Sequence, residues 1–354
     1  MPAPHIRPLA PIPLRWVLIV PFILQAVGVV ALVGYLSYRS GQQAVSDLAE
    51  QLMVEVGDRT TLYLEKTLEV PHLVNQLNAN AIRLGMIPGF DSTNTAFLEQ
   101  VFLQQIKQFP TISTIAIANE RGGMVGSVHN NPGLSVYRTQ GFTRGIFSIS
   151  EIDAMGKEAP ALVISKTYDA RKRPWYQTPK QAGQATWSPI YHLMARVPLL
   201  SVSAGLPFYD KTGKFQGVLA TDIILDNLNQ FLAKLKIGKS GQVFIIERSG
   251  LLVASSKAQP WWTLDADKPE RVRAIESTNP LIQNAMAYLT RSLNLEKINT
   301  AQQLVIRQEN AHQFVRVIPF RDRQGLDWLI VIVVPESDFM AQIQQNTRTT
   351  ILLS

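Results

Sequence analysis

Residues Ile115–Ser127 read IAIANERGGMVGS, and residues Phe244–Ser256 read FIIERSGLLVASS. Each is a short apolar strand, a turn built from an acid, a base and glycine, and a second apolar strand. That is the pattern of a β-hairpin. Each hairpin opens a stretch that closes in a strongly apolar strand and then a helical pattern. The first closes in Gly217–Leu225 (GVLATDIIL) and a helix over Asp226–Leu235. The second closes in Trp328–Val334 (WLIVIVV), Pro335 and a helix over Ser337–Gln345. A polar residue can cap each helix, Asp226 in one and Ser337 in the other. The shared order of elements predicts two copies of one α+β unit, each an antiparallel sheet flanked by helices.

The rest of the 354-residue chain frames these units. Apolar residues make up 46% and charged residues 17%, which supports sizeable cores and excludes a disordered charged tail as the main content. The net charge of +7 is scattered, with no run of five basic residues, so no nucleic-acid partner is expected. The absence of cysteine excludes disulfide scaffolds, thiol catalysis and cysteine-based metal sites.

Leu14–Tyr38 reads LRWVLIVPFILQAVGVVALVGYLSY, with Arg15 as its one charge. At 1.5 Å per residue it spans roughly 37 Å, enough to cross a bilayer, with Trp16 and Tyr35/Tyr38 at the interfaces. It is too long for a signal-peptide core, and no A-x-A cleavage site follows it. The expectation is a transmembrane helix over 14–38, with 1–13 cytoplasmic and the bulk of the chain outside an inner cell membrane. Residues 39–80 then predict a long helix with an apolar stripe (Val45, Leu48, Leu52, Val56, Tyr63) and a break near Pro71. The stripe packs against a domain or against its twin in a parallel homodimer. At the other end, Thr349–Ser354 begins a new apolar run after Arg348. It reads as the first turn of a second membrane helix, which makes 337–354 the return to the membrane in a longer receptor.

The stretch with the most chemistry is Ser165–Arg196, SKTYDARKRPWYQTPKQAGQATWSPIYHLMAR. It gathers Tyr168, Arg173, Trp175, Tyr176, Trp187 and Tyr191. An arginine can clamp a carboxylate through two parallel hydrogen bonds, and rigid aromatic rings supply walls, hydroxyls and an indole N–H. Asp222 adds the opposite charge, within GVLATDIIL on the face shared by Val218 and Ala220. A carboxylate there is costly unless paired. One anion-binding and one cation-binding group together suit a zwitterion. The alternative is a structural Arg173–Asp222 salt bridge wrapped in aromatic packing.

The element order, TYDARKRPWYQ, the later WSPIY and GVLATDI together resemble a double Cache sensor domain. Such domains are extracytoplasmic ligand-binding modules of bacterial chemoreceptors, histidine kinases and cyclases. The resemblance covers about residues 40–345. It implies two PAS-like subdomains on a long N-terminal helix: a membrane-distal, ligand-holding one at 81–236 and a membrane-proximal one at 237–336. It further implies that Arg173 and Trp175 hold a carboxylate, that Tyr168 and Asp222 hold an ammonium, and that Tyr176 and Tyr191 complete the pocket. Where amino-acid-binding members often carry an acid, two residues after Tyr191, this chain has Leu193. That leaves a narrower amino-acid range or a carboxylate without an amine. The output implied is a histidine kinase, with a cyclase, a chemoreceptor or a tethered module without output as alternatives.

No catalytic group, cofactor or metal is expected within these residues. None of the five histidines pairs at metal-ligand spacing. Gly238-Lys239-Ser240 mimics the end of a phosphate loop but lacks its first glycine, and a strand follows it.

Overall fold

The computed structural model describes residues 14–91, 95–129, 133–194, 199–257, 262–265, 268–308 and 311–339. The chain divides into two units, Met1–Leu52 with Phe339–Ser354, and Met53–Asp338.

A single helix, α1 (Leu14–Arg83), covers 70 residues. Among the described residues it is the one helix long and apolar enough to cross a membrane. Its side chains from Phe22 to Leu36 are exposed. The expected break near Pro71 is absent: α1 runs through it without interruption. A mid-helix proline costs about 3 kcal/mol. Here Pro71 is itself buried, and Leu64, Leu68, Val74 and Ala79 bury apolar surface on both sides of it. That packing outweighs the lost backbone bond.

After α1 come α2 (Thr95–Gln108), β1 (Thr114–Asn119), β2 (Met124–His129), β3 (Leu134–Thr139), β4 (Gly145–Ile152) and β5 (Leu162–Tyr168). Then follow α3 (Pro174–Ala182), β6 (Thr186–Trp187), β7 (Tyr191–Leu193), β8 (Leu199–Tyr209), β9 (Phe215–Ile224) and α4 (Leu225–Leu232). The strands form one nine-stranded antiparallel sheet in the order β5-β4-β3-β2-β1-β9-β8-β6, with β7 also on β8. Alternation sorts the two faces. Ile115, Ile117 and Leu219 pack with Val74, Leu98, Phe102 and Ile106 under α1 and α2. Ala116, Ala118, Val218 and Ala220 face the other way, toward Tyr168, Trp175 and Tyr191. Polar bonds fix α1 on this sheet: Asn75 donates to the Ala204 carbonyl at 2.8 Å and accepts from Thr221 at 2.7 Å.

The chain continues with β10 (Gln242–Glu247), β11 (Leu252–Ser255), β12 (Trp262–Asp265), β13 (Lys268–Arg271), α5 (Pro280–Ser292), β14 (Gln302–Gln308), β15 (Ala311–Arg321) and β16 (Asp327–Pro335). A five-stranded antiparallel sheet has the order β11-β10-β16-β15-β14, and β12 pairs with β13 separately. Both predicted hairpins form, β1–β2 and β10–β11. Their turns carry left-handed glycines at matching places, Gly122 at φ +82° and Gly250 at φ +84°. In both sheets the hairpin lies beside the late apolar strand, β9 in one and β16 in the other. The α+β repeat read from the sequence is therefore the architecture.

Two cap assignments are corrected. Asp226 does not cap α4, because β9 runs straight into the helix and Ile224 takes the cap position, its N–H donating to the Ser113 hydroxyl at 2.9 Å. Asp226 lies in the first turn instead, accepting from Asn229 and Gln230. Ser337 does not cap the last helix, which starts one residue earlier, at 336. Its Asp338 accepts from the Ser240 N–H and hydroxyl, both at 2.8 Å, and from the Gly241 N–H at 3.2 Å. The phosphate-loop mimic is thus a turn tied to the end of the second sheet. Residues 1–13 and 340–354, which carry the expected cytoplasmic start and the return to the membrane, lie outside the described residues.

Candidate functional site

Small side chains open a gap on the inner face of the first sheet. Aligning the hairpins on Gly122 and Gly250 puts Thr114, Ala116 and Ala118 level with Gln242, Phe244 and Ile246. On the next strand Val218, Ala220 and Asp222 match Leu329, Val331 and Val333. One strand further, Ser203 and Gly205 match Val315 and Val317. The second sheet fills its face with large apolar groups packed under α5. The first replaces them with alanine, glycine and a polar row, Thr114–Asp222–Ser203, running across three strands.

The aromatic stretch closes over that row. β5 delivers Tyr168, whose ring stacks on Phe147 at 4.6 Å. The chain then makes a short turn, in which Asp169 accepts from the Arg171 N–H, and enters α3 with Pro174 at its first position. Arg173 is the residue before the helix and makes no side-chain cap, so its guanidinium is free to reach inward. It donates to the His192 carbonyl at 2.6 Å and lies 5.4 Å from the Tyr191 ring centre. The Tyr191 hydroxyl donates to Asp222 at 3.1 Å. Among the described residues no ion pair joins Arg173 to Asp222, so the salt-bridge alternative is not formed.

Asp222 is 3% exposed. Burial pushes its pKa up to about 6, against the pull of Ser203, Tyr191, Arg173 and Thr114. Burial likewise raises Tyr137, Tyr168 and Tyr191, which remain neutral hydroxyls. These groups surround a cavity of about 20 Å³, room for roughly one water molecule.

Tyr168, Arg173, Trp175, Tyr191 and Asp222 all line this cavity. Tyr176 does not. One residue past Trp175 on α3 it points about 100° away, and its hydroxyl donates to Glu120 at 2.5 Å. Lys180 closes the same cluster at 2.9 Å from Glu120. The sequence reading missed Thr114, Ala116, Met124, Tyr137, Phe147, Met194 and Ala220 on the lining. Thr114, Ala116 and Ala220 were within reach, since strand alternation places them on the face of Asp222 once β1 and β9 are paired. Tyr137 and Phe147 belong to strands that carried no hairpin signal. Among the described residues no group of three or more potential metal ligands gathers.

Two similar α+β sheets along a long helix, one enclosing a polar cavity, define a class of double-sheet sensor domain. The chain belongs to the Cache family: the family profile dCache_1, described as Cache domain, matches residues 40–343. Among curated proteins, methyl-accepting chemotaxis protein McpB of Bacillus subtilis (strain 168) is 28% identical over 123 residues, 34% of this chain and 18% of that one. Methyl-accepting chemotaxis protein PctB of Pseudomonas aeruginosa is 21% identical over 213 residues, 58% of this chain and 28% of that one. The chain thus spans less than a third of the length of these relatives. Among solved structures, the ligand-binding domain of Mlp24 with asparagine shares the fold at a TM-score of 0.53 and 19% identity, covering 86% of this chain and 99% of that one. The extracellular domain of mmHK1S-Z2, named as a histidine kinase, does so at 0.51 and 15%, covering 83% and 99%.

Proposed function

We propose that this chain is the membrane-anchored input region of a transmembrane receptor, and that it senses a small amino acid or carboxylate in the cavity of its first sheet. The observation that carries this reading is the pair Arg173 and Asp222: two opposite charges lining one buried aromatic cavity without neutralising each other directly. Arg173 and Trp175 take the carboxylate; Asp222 and Tyr168 take the ammonium. α1 supplies the anchor at 14–38, the bulk lies outside the cell membrane, the first sheet is membrane-distal and the second proximal. The cavity has room for about one water molecule, so a ligand binds a wider state of the pocket better than this one. That differential affinity shifts the population and is the signal.

α1 also supports a parallel homodimer. Leu62, Leu73 and Leu77 are each at least 51% exposed. At 100° per residue they fall within a stripe about 60° wide. For the output, a histidine kinase remains the first reading; the chemotaxis proteins among the relatives favour a chemoreceptor as the second.

The test is a thermal-shift screen of the full chain in detergent against amino acids, short carboxylates and amines. A ligand at 100 times its Kd raises stability by about 2.7 kcal/mol. The expected result is a rise with an amino acid that disappears in Arg173→Ala. A rise with carboxylates alone removes the ammonium role of Asp222, and no rise from a folded sample sinks the reading.

A further inference from the structure

We propose that a second ligand site lies between α1 and the turn that joins β15 to β16, and that it takes a short peptide with free termini. It shares no residue with the cavity of the first sheet, so it stands or falls apart from the amino-acid reading.

Three observations carry it. The first is space. The cleft measures about 660 Å³, against about 20 Å³ for the cavity. Sites for small organic ligands run to roughly 300–1,000 Å³ and favour the interfaces between domains. Three parts of the chain wall this one: α1, the first sheet and its approach through Leu206 and Ala185, and the β15–β16 turn. The turn is held in place before any ligand arrives. Asp322 accepts from the Trp187 indole and from the Gln324 and Leu326 N–H groups, and Thr186 donates to the Gln324 carbonyl. Leu68 and Phe320, both buried, make part of the lining apolar.

The second is charge. Glu65 and Glu69 line the cleft from α1, and Arg321 and Arg323 line it from the turn. Arg321 pairs with Asp327 at 3.1 Å. Among the described residues no ion pair involves Glu65, Glu69 or Arg323. Two acids four residues apart on a helix repel, and an ammonium beside them relieves that cost. A carboxylate answers Arg323. The two walls carry opposite charge and do not pair with each other, so they match a molecule whose own charges are held apart. A free amino acid carries both charges on one carbon, whereas a peptide carries them at its two ends.

The third is hydrogen bonding. Each peptide linkage brings a donor and an acceptor. Gln76 and Gln324 bring carboxamides to the lining, with both kinds of group. His72 lines it too, and burial keeps its ring neutral, with one donor and one acceptor nitrogen. Neither nitrogen has a partner within the chain. Polar groups left in that state are costly, and an occupant of the cleft accounts for them.

The experiment is calorimetry on the full chain in detergent with the tripeptide alanyl-leucyl-alanine, its N-acetyl form and its C-terminal amide. Wild type and Arg173→Ala should bind the free tripeptide alike. Blocking either end should weaken binding by about three- to tenfold. Glu65→Gln with Glu69→Gln should weaken the free tripeptide by as much and leave the N-acetyl form unaffected. Arg323→Gln should weaken the free tripeptide and leave the amide unaffected. All three positions are exposed, so the unliganded melting temperatures should hold. Loss of binding in Arg173→Ala would place the peptide in the first cavity and overturn the proposal. Equal binding by the blocked forms, or the same loss for free and blocked peptides in the variants, overturns it too. So does the absence of binding to a folded sample at millimolar tripeptide.

Discussion

Asp222 shows how a single side chain can be costly to the fold and useful to the site. Its pKa of about 6 lies above the ordinary carboxylate value of 3.8, with burial as the main cause. The folded state therefore holds the proton more tightly than the unfolded one. Between pH 3.8 and 6 stability falls as pH rises, and above pH 6 the full cost remains, about 3 kcal/mol at 1.36 kcal/mol per unit. Asp222→Asn should raise unliganded stability at pH 7 by an amount approaching that figure, reduced by whatever the amide leaves unpaired. The gain should vanish below pH 4, and response to amino acids should disappear. Urea melts at pH 4 and pH 7 check this; equal effects at both would mean that the carboxylate is not neutralised by burial. The residue was legible in the sequence because a lone acid in an apolar strand is conspicuous. Its neighbours Tyr137 and Phe147 were not, since an aromatic residue in a strand is compatible with any core.

At the scale of elements, α3 shows what sequence patterns cannot supply. The Arg173–Trp175 segment was readable as chemistry, but its aim depends on how closely the helix seats on β8. That seat is Pro179 over Gly205, where an added Cβ would lie 2.5 Å from the proline Cγ. Gly205→Ala must therefore push α3 outward, at about 1–3 kcal/mol of stability, and carry Arg173 away from the cavity. The expected result is a lower melting temperature together with a loss of affinity larger than that loss of stability explains. An unchanged affinity would show that Arg173 is held by His192 alone. The helix pattern was legible in residues 39–80, while its continuation through Pro71 was not, because tertiary burial decides that contest. The same helix makes an association prediction. Leu73→Asp with Leu77→Asp, both at exposed positions, should cost roughly 1–2 kcal/mol in helix propensity and like-charge repulsion, too little to unfold the chain. If the stripe is a dimer seam, sedimentation of the double variant in detergent should show monomer where wild type shows dimer.

Across the molecule, the two sheets meet at a small polar contact, and His72 beside it titrates in opposition to Asp222 in the cavity of the first sheet. The Trp187 indole donates to Asp322, whose other oxygen accepts from the Gln324 and Leu326 N–H groups of its own turn. Thr186 donates to the Gln324 carbonyl at 3.2 Å. His72 of α1 lies edge-on to Trp187 at 4.7 Å, with neither ring nitrogen hydrogen-bonded. Burial lowers the His72 pKa to about 4 even though Asp322 pulls it up. For this base the folded pKa is depressed, so the stability it contributes is present above pH 6.5 and is lost as pH falls toward 4. Asp222 runs the other way over nearly the same range. One proton each, at about 1.36 kcal/mol per pH unit, makes the two slopes nearly cancel between pH 6 and 4. The wild-type stability contributed by these two groups should then be almost flat with pH, and the single variants should tilt it in opposite directions. Asp222→Asn uncovers the histidine, so stability falls with acid. His72→Phe keeps an aromatic ring against Trp187 and uncovers the aspartate, so stability rises with acid. Chemical denaturation at half-unit steps from pH 4 to 7 measures both slopes, and slopes of the same sign would show that one of the two groups stays in contact with water.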